Sequence, residues 1–241
     1  MASLWDFDQI AIGAKDYIIG IDEAGRGPFA GSVVASAVCV EKSFFETFTY
    51  RERTIEINDS KQLSSLKRQA YVKEIESIAA EGLLFYGIGK ATVKEIETYN
   101  ILGATIKAMV RALKQVVKKH KGFYLPLVED DLPLFKCNSD RSGMPKILID
   151  GKPIKKFPYT HEGIVKGDGK SLVIAMASIF AKETRDADLL KLDKKYPQYG
   201  FAKHKGYGTK FHREKILEYG PCPEHRLSFL RNLLGSKISK P

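Results

Sequence analysis

Apolar residues along the chain fall into short runs bounded by turn formers, alternating with longer segments in which they recur at every third or fourth position. Residues 17–22, YIIGID, form a β-branched run between Lys15-Asp16 and the turn-like GRGP that starts at Gly25, and read as a buried strand. Residues 32–40, SVVASAVCV, read as its hairpin partner. From Ser64 to Ala80 the positions Leu66, Tyr71, Ile75, Ile78 and Ala79 keep helical spacing, and Gly82 ends the run. LLFYGIGKA, residues 83–91, reads as a third strand. Thr92 and Glu95 have capping-box spacing and open a short helix. A longer one follows, striped by Ile106, Met109, Leu113 and Val116, with Lys118, Lys119 and Lys121 complementing the dipole at its end.

Two further runs end in an acid. KILID, residues 146–150, and HEGIVKGD, residues 161–168, both read as strands, and a helix follows from Ser171 through Asp193 with Pro197 beyond it. The tail is helical in pattern at LSFLRNLL, residues 227–234. The order predicts an α/β fold with a mixed sheet. We read residues 1–241 as one domain, with a core at about 15–200, a helical C-terminal part at about 201–235, and a loop insertion at about 124–145 where periodicity is lost.

Asp22 and Asp150 each end an apolar strand, and a strand-helix-strand crossover would make those strands parallel neighbours. The carboxyl ends of such strands form the ligand crevice of open α/β sheets. Glu23 adjoins Asp22, and Asp168 arrives just before a helix. Four acids in one crevice repel one another unless cations neutralise them, and oxygen-rich sites are what Mg²⁺ or Mn²⁺ require. Two such ions roughly 3.5–4 Å apart would suit phosphodiester hydrolysis. An acid after a strand also commonly caps a turn, and the residues alone leave both readings open.

The glycines of GRGP would let the backbone approach a ligand closely, with Arg26 available to a phosphate or sugar; a tight turn is the plainer reading. HKGYGTKFHREK, residues 204–215, interleaves rings with cations as a nucleic-acid surface does, and equally reads as a solvated basic helix start. His204, His212 and His225 lack metal-ligand spacing and read as structural or surface residues.

Charge narrows the partner. Among 241 residues, 39 Lys and Arg against 29 Asp and Glu give a net charge of +10, which favours a polyanion and salt-dependent binding. Cys39, Cys137 and Cys222 show no CxxC spacing, so reduced thiols in a cytoplasmic setting fit better than zinc or a disulfide framework. The acidic leader MASLWDFDQ is unlike a signal peptide, and no apolar stretch reaches membrane-span length, so no membrane partner is expected.

In content and order, YIIGIDEAGRGPFAGSVVA, NDSKQLS, ILIDGK, IVKGDGKSLVIAMASIFAKETRD, FAKHKGYGTK and PEHRLSF resemble bacterial ribonuclease HII over nearly the whole chain. The resemblance implies a ribonuclease H-like fold: a five-stranded mixed sheet flanked by helices, with a helical C-terminal part. It implies a metal-dependent endoribonuclease acting on RNA/DNA hybrids and on duplex DNA containing ribonucleotides, working as a monomer. Its acidic quartet falls on Asp22, Glu23, Asp150 and Asp168, which would hold two divalent ions, Mg²⁺ or Mn²⁺. Gly25, Arg26 and Gly27 would meet the 2′-hydroxyl and phosphate at the ribonucleotide, and Tyr207 would stack on the sugar at the RNA-DNA junction. Lys61, Lys170 and Ser171 would touch the backbone. The GRG element and the short leader separate the chain from the sister ribonuclease HIII family. Two departures are Ser32, where a proline is common, and the long stretch from Pro126 to Met144.

Overall fold

Five strands, β1 (Tyr17–Ala24), β2 (Val33–Glu41), β3 (Leu84–Ala91), β4 (Lys146–Asp150) and β5 (Glu162–Ile164), form one mixed sheet in the order β3-β2-β1-β4-β5. β1, β2 and β3 pair antiparallel as a meander, while β1, β4 and β5 pair parallel. The computed structural model describes residues 3–54, 57, 63–120, 122, 125 and 144–235, so nearly all of the expected insertion, and Lys61, lie outside the described residues. The helices are α1 (Leu4–Ala11), α2 (Phe48–Thr54), α3 (Ser65–Ala80), α4 (Val93–Lys119), α5 (Leu172–Lys195), α6 (Phe201–His204), α7 (Lys210–Tyr219) and α8 (Arg231–Leu234). Among the described residues no helix is long and apolar enough to cross a membrane.

Strand alternation sorts the core into two layers. Ile19, Ile21, Ala35, Ala37, Ile147 and Ile149 face α4, whereas Ile18, Val38, Val40 and Leu148 face α1, α3 and α5. β1 is buried on both faces, which is why its sequence reads as a continuous apolar run rather than an alternating one. On the α5 face, Gly20 leaves room for helix backbone: a Cβ there would lie 2.3 Å from the Val173 carbonyl carbon. A side chain at that position would push α5 off the sheet. α5 is buried on every side from Leu172 to Ala181, as a helix laid this close to a sheet must be. A third apolar cluster, including Ala30, Leu189, Phe201 and Ile216, seats the C-terminal helices against the distal half of α5 and the segment after β1.

Local signals carry most element ends. Ser64 caps α3, and Thr92 with Glu95 forms the expected capping box of α4. The break between a short and a longer helix falls at Asn100, where φ is 56° and the side-chain carbonyl accepts from Leu102 and Gly103 N–H, restarting the helix. One expectation needs correction. Residues 161–168 do not form a strand ending in Asp168: pairing stops at Ile164, Lys166 is left-handed, and Asp168 sits in a 3-10 turn, Gly167–Gly169. β5 is short because only Leu148 to Asp150 of β4 are available to pair with it.

α1 was not legible as an element, and it docks through a buried acid. Asp8 Oδ2 accepts from Val173 N–H at 2.8 Å, capping α5 from 165 residues away, while Oδ1 has no hydrogen-bond partner. Burial raises the Asp8 pKa from 3.8 to about 7, outweighing the bonds from Val173, Ser171 and Leu172 that lower it. A raised carboxyl pKa means that its share of stability is fully present below the unfolded value and is lost as pH rises through the folded one. Asp8→Asn copies the neutral acid and removes this titration. The melting temperature of the variant relative to wild type should therefore climb between about pH 4 and about pH 7; a flat difference would show that Asp8 is ionised throughout.

Candidate active site

Ile21 and Ile149 are the last registered pair of the parallel strands β1 and β4. Asp22 and Asp150 come next, and alternation from Gly20 and Leu148 turns both to the α5 face. Asp168 joins them from its turn, which is tied to β4 because Asp150 Oδ1 accepts the Gly167 N–H at 2.6 Å. One carboxylate oxygen from each of Asp22, Asp150 and Asp168 lies within 4.8 Å of the others. Asp22 is only 5% exposed, and its pKa is raised well above the ordinary value, first by burial, then by Glu23, with Asp150 adding to it. Hydrogen bonds from the Ser178 hydroxyl and from the Glu23 N–H, 2.7 Å away, oppose this without cancelling it.

Such an anion lacks positive charge, and a donor set made only of carboxylate oxygens suits a hard divalent cation. Glu23 borders the same cleft, but its carboxylate accepts from Arg26 Nη1 at 3.2 Å. The geometry thus groups three of the four expected acids closely and sets the fourth at the rim.

The cleft, about 350 Å³, is lined by Asp22, Glu23 and Asp150, by the Gly25–Gly27 loop and by Tyr207. Successive turns of α5 supply Ser178, Lys182 and Arg185 to its wall. Gly25 has φ of +97°, and a Cβ on it would lie 2.0 Å from Arg185 Nε, so conformation and space both demand glycine. Gly27 is different: a Cβ there would meet only the Tyr207 ring, at 3.9 Å, which places this glycine and the tyrosine face to face. Tyr207 is 51% exposed.

Beneath the loop lie two buried guanidinium groups. Arg226, fully buried, donates to the carbonyls of Gly25 (2.7 Å), Arg26 (3.0 Å), Gly31 (2.8 Å) and Ser32 (3.2 Å). Arg185 donates to the carbonyls of Ala30, Ser32 and Lys205. Burial, with Arg185 adding to it, lowers the Arg226 pKa to about 9, and the group stays cationic at neutral pH.

Lys170 is exposed beside the Asp168 turn. Ser171 is fully buried and its hydroxyl accepts the Ile174 N–H as the N-cap of α5. His204, His212 and His225 are structural, as expected; each ring nitrogen already has a hydrogen-bond partner. Sequence reasoning missed Ser178, Lys182, Arg185 and Arg226. The first three repeat at i, i+4 and i+7, which puts them on one face of α5, and Ser178 breaks the apolar run Leu172–Ala181. A larger hollow of about 500 Å³ lies at the amino end of β4 beside Ile147 and His161, mainly apolar and remote from the acids.

The sequence matches the ribonuclease HII family pattern over residues 19–130 and 134–232. Ribonuclease HII of Caldanaerobacter subterraneus subsp. tengcongensis is 43% identical over 219 residues, 91% of this chain and 76% of that protein. The crystal structure of ribonuclease H2 from Pyrococcus horikoshii OT3 superposes with a TM-score of 0.61 at 25% identity, covering 90% of this chain and 96% of the other. At 15% identity and a TM-score of 0.51, the structure of Bst-RNase HIII in complex with Mn²⁺ covers 87% of this chain and 65% of that one, and shares the fold. The matched pattern takes in β1 with its acids, the GRG loop, the Asp168 turn and the two buried arginines, and on that ground the chain belongs to the ribonuclease HII family.

Proposed function

We propose that this family nuclease hydrolyses the RNA strand of RNA/DNA hybrids and also incises 5′ to single ribonucleotides embedded in duplex DNA, leaving 3′-hydroxyl and 5′-phosphate ends. The observation that carries the reading is the close group of Asp22 and Asp150, at the ends of adjacent parallel strands, with Asp168 from its turn, set where the cleft between the GRG loop and Tyr207 meets the first two acids. In this reading two divalent ions, Mg²⁺ or Mn²⁺, are held by these three acids with Glu23 completing the set. When bound they neutralise charge at the phosphodiester and lower the pKa of water beside it. The Mn²⁺ of Bst-RNase HIII, a protein of this fold, supports the metal assignment.

The chain's own residues bind and discriminate. Arg26 is half exposed and borders the cleft, so its guanidinium can reach a phosphate as well as Glu23. Gly25 and Gly27 let the backbone come within hydrogen-bonding reach of a 2′-hydroxyl, the group that separates RNA from DNA. Tyr207 offers a ring to the sugar, and Lys170 a charge to the backbone. Lys61 keeps the same assignment from the family resemblance alone. Base identity should matter little, because the group read is the 2′-hydroxyl. We further infer that the enzyme acts as a monomer, built as one ribonuclease H-like domain, in a cytoplasmic setting that its scattered cysteines suit.

A DNA duplex with one ribonucleotide should be nicked 5′ to it in Mg²⁺ while an all-DNA duplex stays whole; cutting of both would sink the assignment. Asp22→Asn should abolish that nick in a folded protein. Residues that merely orient a metal ligand are worth roughly 10- to 100-fold, so loss of a ligand should exceed about 100-fold. Gly27→Ala should fold normally, since its Cβ meets no clash, yet cleave more weakly because the methyl occupies the cleft facing Tyr207. Unaltered kinetics would place the substrate elsewhere.

Metal binding should also track the protonation of Asp22. Its raised pKa means that, without metal, stability is lost as pH rises through the folded value, and a bound cation reverses this. The rise in melting temperature on adding Mn²⁺ should therefore grow with pH in wild type and shrink in Asp22→Asn; a shift independent of both would put the ion elsewhere.

A further inference from the structure

The three C-terminal histidines have no part in the chemistry described so far, yet their hydrogen bonds admit a single proton arrangement. The Tyr207 carbonyl only accepts, so the His212 Nδ1 that meets it at 2.9 Å carries a proton. The Cys222 N–H only donates, so His225 Nδ1, 2.9 Å away, is bare. The two Nε2 atoms face each other at 3.0 Å and share one proton, which in a neutral pair belongs to His225 and is donated to His212. His204 stacks on His212 with ring centroids 4.2 Å apart. It donates through Nε2 to the Tyr199 carbonyl and accepts the Gly206 N–H at Nδ1. Gly206 and Tyr207 are thus both held by imidazoles.

We propose that His212 and His225 are positioning residues, a relay of fixed tautomers that sets where Tyr207 stands against the Gly25–Gly27 loop. The inference rests on Tyr207 meeting the substrate. Its second support is the next residue along the chain: Arg226 grips the Gly25 and Arg26 carbonyls from below. Consecutive residues therefore hold the two facing walls of the cleft, His225 through His212 to Tyr207, and Arg226 directly to the loop. Displacement of one wall changes the width of the gap that a ribonucleotide must fill, and a misplacement of about 1 Å costs up to roughly 100-fold in rate. Burial lowers the pKa of both histidines to about 4, with His204 adding to it at His212, and His212 and His204 adding to it at His225, so the relay stays neutral across the physiological range. A proton added to either ring would set two N–H groups against each other.

Imidazole ¹⁵N NMR of the whole protein tests the arrangement, which requires His212 as the Nδ1–H tautomer and His225 as the Nε2–H tautomer. The reverse pair, or averaging between the two, overturns it. Two variants of similar polarity then separate positioning from packing. His212→Asn keeps a donor at the δ position for Tyr207 and should cleave the single-ribonucleotide duplex within about threefold of wild type. His212→Gln keeps a group at the ε position for His225 but loses the δ donor, and kcat/KM should fall roughly 10-fold or more while Mn²⁺ binding, read by calorimetry, is unchanged. In a Tyr207→Ala background His212→Gln should add no further loss; an equal loss in both backgrounds would show a packing effect and reject the relay. Should Tyr207→Ala alone cleave like wild type, the substrate role of Tyr207 fails, a result that the tautomers in the NMR spectrum distinguish from failure of the hydrogen-bond arrangement itself.

Discussion

Asp22 is a carboxyl group held out of water within reach of two other carboxyl groups, and much of the molecule is arranged around keeping it there. Its strand is the middle of the sheet, so it cannot move to solvent without breaking the antiparallel pairing to β2 and the parallel pairing to β4. The helix above it sits close because Gly20 has no side chain, and that closeness brings the Ser178 hydroxyl to the carboxylate. Burial still wins over these hydrogen bonds, and the site carries a standing demand for positive charge. A divalent cation meets that demand, and a polyanionic substrate could not approach the acids without it. The cost of the empty site and the affinity of the filled one have one origin.

The remaining walls of the cleft are held by cations rather than by apolar packing. Arg185 and Arg226 are buried with their donors spent on main-chain carbonyls between Gly25 and Ser32 and at Lys205. A guanidinium has five donors in a rigid plane, so one buried arginine can fix several turns of irregular chain that no helix or sheet would order. This gives the GRG loop a defined shape although two of its three residues carry no side chain. The +10 net charge extends the attraction for a polyanion beyond the cleft.

Much of this was legible in the sequence because the signals were local. Short apolar runs between turn formers located β1, β2 and β3, and longer segments between start and stop signals located α3 and α5, all to within a residue or two, while capping residues marked where α3 and α4 begin. The parallel placement of β1 beside β4 followed from the crossover between them, and with it the meeting of Asp22 and Asp150. Asp168 was misplaced on a strand because the left-handed turn at Lys166 depends on where the neighbouring strand runs out of partners, which no local pattern records. Ser171 was assigned to the substrate by resemblance, and its position at the head of α5 also suits an N-cap. The arginines were unreadable for another reason: their carbonyl partners lie some 20 to 200 residues away along the chain.

Hydrophobic periodicity and turn chemistry, which act between near neighbours in the chain, determined where the strands run and that β1 lies beside β2 and β4, while the family and the candidate acids were legible through motif content. Tertiary structure alone decided which of those acids is buried, which rests at the rim against Arg26, and how Tyr207 comes to face Gly27. Desolvation, charge proximity and the tautomer of a shared proton depend on distances through space, and those exist only once α5 and the C-terminal helices have closed over the sheet.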